Sequence, residues 1–134
     1  MQIIGTVPCT QGQYFNVEFL VLSNGEVPAR DFVTQFTHEH GRWFRQQQRL
    51  LAAIDVFANT RPGRFLNREM FKPVEGTDGV FEFKAFQLRL FCFYAPGARL
   101  LLAFGVIKQQ DRHSRKDVRR AQDLRNEFLA TQRQ

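Results

Sequence analysis

The stretch FKAFQLRLFCFYAPGARLLLAFGVIK, residues 83–108, decides how this chain is read. It is aromatic and aliphatic throughout, yet Lys84, Arg89, Arg99 and Lys108 interrupt it. The APG at 95–97 is a turn signal. It divides two expected strands, 87–94 and 99–107, and a third precedes them at 80–84. If Tyr94 faces Arg99, then Arg89 faces Phe104; a tight turn at Ala85 and Phe86 sets Lys84 opposite Gln87 and Glu82 opposite Arg89. Paired residues share a face and successive residues alternate.

On this pairing Glu82, Lys84, Arg89 and Lys108 share one face with Phe91, Phe93, Leu100, Leu102, Phe104 and Val106. The other face carries Phe81, Phe83, Leu88, Leu90, Cys92, Tyr94, Leu101 and Ile107, together with Arg99. One face is nearly all apolar and should be covered by helices. The other is greasy at one end and charged at the other. A helix over the greasy end would leave a charged groove, with Arg89 and Lys108 roughly 13 Å apart at about 3.3 Å per residue. The plainer reading makes Glu82 and Arg89 a cross-strand ion pair, and Lys84 and Lys108 charges that discourage edge pairing.

Outward from the strands, QYFNVEFLVL (13–22) alternates as a strand and SNGEVP ends it, while IIGTV (3–7) is a candidate short strand. Pro28 suits a first helical turn, and Ala29, Phe32, Val33 and Phe36 follow helical spacing. Gly41 breaks or bends this segment. A second stripe, through Trp43, Gln47, Leu50, Leu51, Ile54, Phe57 and Ala58, then runs to NTRPG, with Arg42, Arg45 and Arg49 around it. The two stripes predict a helical hairpin or one bent helix. Residues 64–79 read as a loop. SRKD at 114–117 resembles a capping box with Ser114 as N-cap, and Val118, Ala121, Leu124 and Phe128 form the stripe of a docking C-terminal helix. Strands and helices in runs rather than strict alternation predict an α+β fold, in one domain over 1–134.

The 134 residues carry a net charge of +6, and arginine supplies all but four of the nineteen cations. The excess sits at 42–72 (+5) and 108–134 (+4), against −3 over 1–41. Arginine's planar fork suits phosphate, so a phosphate-rich or acidic partner is expected; a merely soluble basic surface is the alternative. Two cysteines, Cys9 and Cys92, without CxxC or zinc spacing, predict no disulfide framework and a reduced, cytoplasmic setting. No apolar run is long enough to span a membrane, and MQIIGTVPCTQGQ does not read as a signal peptide. His38 and His40, two apart, are not a helical metal pair and read as surface residues. No metal site or cofactor is expected.

These residues resemble the RelE/HigB toxins of type II toxin–antitoxin modules, in particular their phage-derived Gp49-like branch. The resemblance spans roughly 14–129: VEFLVLSNGEVPARDFV resembles the branch's opening strand and helix, FEFKAFQLRLFCFY its Glu-containing and Arg-containing strands, and LLLAFGVIKQQDRHSRKDVRRA its last strand and helix. Each motif is short; their order and spacing carry the likeness. It implies a RelE-like fold, with an N-terminal strand and helical hairpin on a mostly antiparallel sheet and a C-terminal helix. Residues 1–12 would be an extension atypical of the family.

The resemblance also implies a translation-inhibiting endoribonuclease, cleaving mRNA on the ribosome without a metal or cofactor. Its partners would be mRNA, the ribosome and a cognate antitoxin of helix-turn-helix or similar DNA-binding type; no membrane is implied. Arg89 falls on the family's phosphate-contacting arginine, Lys108 on the first of two lysines, Glu82 and Lys84 on a Glu-x-basic pair, Arg112 on a further basic position and Ala121 on a small helix residue. Arg89 and Lys108 are then expected to stabilise the reacting phosphate, with Lys84, Arg112, Arg115 and Lys116 binding RNA. Glu82, His113 and Tyr94 are the acid–base candidates, Tyr94 on the wrong face. The sequence departs from the family at Val106 (a Phe), Gln109 (the second Lys) and Ser114 (a Pro). Two rival readings remain: a non-catalytic binder of a protein target, and a nucleic-acid binder using the basic face of the last helix.

Overall fold

The computed structural model describes residues 2–64 and 67–132. Positions 65–66 of the expected loop, position 1 of the expected extension, and 133–134 lie outside the described residues. The elements are β1 (Ile3–Gln11), β2 (Asn16–Leu22), α1 (Pro28–Thr34), α2 (Arg42–Ala58), β3 (Phe71–Pro73), β4 (Phe81–Ala85), β5 (Leu88–Ala95), β6 (Arg99–Ile107) and α3 (Arg115–Thr131). One six-stranded sheet has the order β1-β2-β6-β5-β4-β3. Only the central β2–β6 pair is parallel. This is the expected α+β architecture, consistent with a RelE-like fold.

Pro28 stands in the first turn of α1, where its missing N–H costs no helical bond. A 3-10 turn at His38–His40 and Gly41, at φ +51°, separate α1 from α2, so the two stripes form a hairpin rather than one bent helix. Val33, Leu50, Ile54 and Phe57 pack on one sheet face, against Phe83, Leu88, Leu90, Cys92, Leu100 and Leu102. On the opposite face Ala121, Leu124 and Phe128 of α3 meet Phe91, Phe93, Leu101, Ala103 and Phe104. Ser114 caps α3, its Oγ accepting the Asp117 N–H at 3.1 Å.

The strand registers differ from those expected. The β4–β5 turn is centred on Phe86 and Gln87, which pairs Lys84 with Arg89 and Glu82 with Phe91. That is a slip of two residues, so every side chain keeps its face. The β5–β6 loop is one residue shorter than expected, with Ala95 opposite Arg99 and Tyr94 opposite Leu100. A one-residue change exchanges faces. Leu100 and Leu102 therefore face the helical hairpin, whereas Leu101 and Arg99 face α3. A bulge at Ala103 restores the phase, so Phe104, Val106 and Lys108 lie on the α3 face as expected.

Arg89 pairs with Val106 rather than Phe104. That puts Lys108 only two residues beyond its partner, roughly 7 Å along the strand instead of about 13 Å. Two further strands exceed the expectation. IIGTV extends to Gln11 as a nine-residue edge strand, and the expected loop contains β3, paired with β4.

Candidate active site

The α3-side face is covered by α3 at one end only. At the other end the chain leaves β6 at Ile107 and returns through 108–114 to start α3. This connection lays the His113 ring edge-on against Phe91, with centroids 4.8 Å apart. It also brings His113 Nε2 to 2.5 Å from Oε2 of Glu82, whose side chain is 1% exposed. Nδ1 of His113 makes no hydrogen bond among the described residues, and the ring borders an open cleft.

Glu82 Oε1 lies 3.4 Å from Arg89 Nε, too poorly aligned for a hydrogen bond, and neither atom has another partner among the described residues. Burial by itself would raise the Glu82 carboxyl. The hydrogen bond from His113 and the charges of His113, Lys72 and Arg89 outweigh it and hold the carboxyl below its ordinary range. Arg89 Nη1 donates to the carbonyls of Phe86 and Leu88. The arginine thus spans Glu82 and the β4–β5 turn, and burial lowers its pKa.

The cleft beside Glu82 and His113 measures about 370 Å³ and is ringed by Arg68, Lys72, Lys108 and Arg112, with Glu75 and Asp111 at its border. Lys108 also borders a neighbouring hollow with Phe86, Gln87, Arg89, Gln109 and Gln110. Lys84, opposite Arg89, lines a larger cavity of about 600 Å³ with Arg49, Glu69 and Phe86. Burial and the charges of Lys72 and Arg89 lower the Lys84 pKa. Arg115 and Lys116, on the first turn of α3, stand apart, in a hollow with Gln2, Arg119, Arg120 and Asp123.

The fold therefore brings Glu82, Lys108, Arg112 and His113 to one cleft, with Arg89 behind Glu82. It places Lys84 in an adjoining cavity and Arg115 and Lys116 elsewhere. Tyr94 lies on the hairpin face against Phe15, Phe57 and Phe81. His38 and His40 are exposed. Arg68 and Lys72 were missed. Lys72 stands directly opposite Glu82, but FKP is three residues long and contains a proline, which argues against a strand. The excess of cations at 42–72 was the one signal for both. Among the described residues, no group of three or more His, Cys, Asp or Glu is placed to hold a metal. None of the helices among the described residues is long and apolar enough to cross a membrane.

A helical hairpin and a C-terminal helix on opposite faces of a small mixed sheet make an α+β protein consistent with a RelE-like fold, here with a basic cleft left open beside the last helix. The chain belongs to the family described as phage derived protein Gp49-like (DUF891), which matches residues 44–126. This is a RelE/HigB-like family of toxins from toxin–antitoxin systems, whose members have an antitoxin partner. The matched stretch runs from α2 into α3; β1, β2 and α1 precede it. The comparison with curated proteins gives no match.

Proposed function

We propose that the chain is an endoribonuclease toxin that cleaves mRNA at the ribosome, with the cleft at Glu82 and His113 as its centre. The observation that carries this reading is the hydrogen bond between buried Glu82 and His113 at the floor of a cleft ringed by four cations. An imidazole that donates Nε2–H to a carboxylate has Nδ1 free to accept a proton, and the carboxylate stabilises the imidazolium that forms. His113 Nδ1 would take the proton of a ribose 2′-OH as that oxygen attacks the adjacent phosphorus. The 5′-oxygen leaves, protonated from solvent, and a 2′,3′-cyclic phosphate remains. Lys108 and Arg112 stabilise the charge that develops on the phosphate oxygens, and Arg68 and Lys72 hold flanking phosphates.

Arg89 acts here as a positioning residue. Its guanidinium is engaged with two carbonyls and Glu82. That engagement also favours the second reading, a non-catalytic binder of a protein target or nucleic acid on the same scaffold. Expression of wild type, His113→Ala and Lys108→Ala in bacteria, with mapping of mRNA 5′ ends and of cleavage with and without ribosomes, separates the two. Growth arrest with mRNA cuts, lost in both variants, is the expected result. Arrest with intact mRNA, surviving in both variants, would sink the nuclease reading and leave the binder.

A further inference from the structure

The β4–β5 turn holds an aromatic ring in the open. Phe86 is 62% exposed and its φ is +56°. It is the first central residue of a two-residue hairpin turn, where a left-handed backbone normally calls for glycine. A bulky residue there is a true outlier. Both its backbone conformation and its exposed apolar ring cost free energy, and folding gains little from either.

The turn is nevertheless held firmly. Gln46, buried on α2, accepts the Gln87 N–H at 3.1 Å and donates to Gln87 Oε1 at 3.0 Å. Arg89 Nη1 donates to the Phe86 carbonyl, and the Gln87 carbonyl accepts the Lys108 N–H at 2.7 Å. The Arg49 guanidinium lies over the Phe86 ring, 5.3 Å from its centroid. A ring fixed in solvent and backed by a cation is a stacking platform.

Its surroundings indicate what would stack. Phe86 borders the hollow that holds Lys108, and Lys108 borders the catalytic cleft, so the surfaces are continuous. On its other side the ring borders the cavity of Lys84 and Arg49, where Glu69 is the opposing charge. Alternating cations with one exposed aromatic suit a single strand of nucleic acid, whose backbone follows the charge while a base lies on the ring.

Resting on the nuclease reading, we propose that Phe86, backed by Arg49, is the platform on which an unpaired base of the RNA stacks beside the cleft. The ring then helps set which nucleotides are presented for cleavage.

The test measures affinity for a single-stranded 2′-O-methyl oligoribonucleotide, which lacks the attacking hydroxyl and is bound without being cut. Phe86→Gly relieves the left-handed strain and should keep or raise Tm, yet bind about tenfold more weakly, in the range expected for losing one stacked base. Phe86→Leu, which keeps apolar bulk without an aromatic face, should weaken binding similarly; Phe86→Trp should stay within about twofold of wild type. Wild-type binding that weakens in Lys108→Ala but not in Phe86→Gly would overturn the platform and leave the RNA reading standing. Absence of wild-type binding even at low salt would overturn both. Retention of affinity in Phe86→Leu would also overturn stacking and leave only an apolar contact with the RNA.

Discussion

Oε2 of Glu82 and Nε2 of His113 lie 2.5 Å apart, although 31 positions separate the residues in the chain. Glu82 is buried on β4, whereas His113 comes from the connection between β6 and α3. Their contact ties the open end of the sheet to the start of the last helix, so its loss should affect stability as well as chemistry.

Glu82→Ala leaves the Arg89 guanidinium and the His113 ring without their carboxylate in a buried setting. Removing one partner of such a pair costs about 3–5 kcal/mol, measurable by urea denaturation. Glu82→Gln keeps the shape and a hydrogen-bonding oxygen and should cost less. It removes the charge that supports an imidazolium, so cleavage should fall more steeply than stability.

Acid should unfold the protein partly through the same group. The folded Glu82 carboxyl titrates below its ordinary value of 4.5, because the His113 hydrogen bond and three nearby cations outweigh burial. Glu18 is lowered too, first by its hydrogen bond from Arg99. For both, the unfolded chain binds the proton more readily. Their contribution is complete above the unfolded value and is lost as pH falls through the depressed folded value. The urea midpoint should therefore drop between about pH 5 and about pH 3, and the slope should flatten in Glu82→Gln and in Glu18→Gln.

Lys108→Ala should reduce RNA cleavage by about 10²–10³, the scale for removing one group aimed at developing charge. Lys108 is partly exposed and has no ion-pair partner among the described residues. Its Tm should thus stay within a degree or two of wild type, a change of well under about 1 kcal/mol. A large loss of Tm in this variant would argue for a structural lysine.

Arg99 offers the converse case. It shares the α3-side face but stands at the far end of the sheet, bonded to both oxygens of Glu18 at 2.8 and 2.9 Å and lying over Phe128. Arg99→Ala should cost about 1–2 kcal/mol, as a partly buried bidentate pair and its ring contact are lost. Cleavage per folded molecule should not change.

Gly12→Ala should also act on folding alone. A Cβ there would meet the Ala58 carbonyl oxygen at 2.2 Å and its carbonyl carbon at 2.4 Å. Backbone at the end of α2 cannot swing aside like a side chain, so a cost of about 1–3 kcal/mol is expected in thermal or urea unfolding.

Several elements were readable because each carries its own period. Pro28 followed by a helical stripe, Ser114 before another, and alternation on either side of the APG turn signal α1, α3, β5 and β6 locally. β3 and the full length of β1 were not readable, since each contains a proline and gains its place by pairing with a neighbour. Face assignment gave a mixed outcome. A shorter loop exchanged Leu100, Leu101, Leu102 and Arg99, and the bulge at Ala103 exchanged the chain back before Lys108. The grouping of Glu82, Lys84, Arg89 and Lys108 survived because the two one-residue shifts cancel.

The sequence by itself determined the α+β order, the family, and the single face shared by Glu82, Lys84 and Arg89, whose phase a two-residue slip leaves unchanged. These rest on side-chain periodicity and chain order, which are local properties. Only the tertiary structure decided which cations meet in one cleft. It drew Arg68 and Lys72 in, left Arg115 and Lys116 outside, bound Arg89 to carbonyls and Glu82, and set His113 on that carboxylate. The path of 108–114 and the pairing of β3 depend on contacts between distant segments, and no local period encodes those.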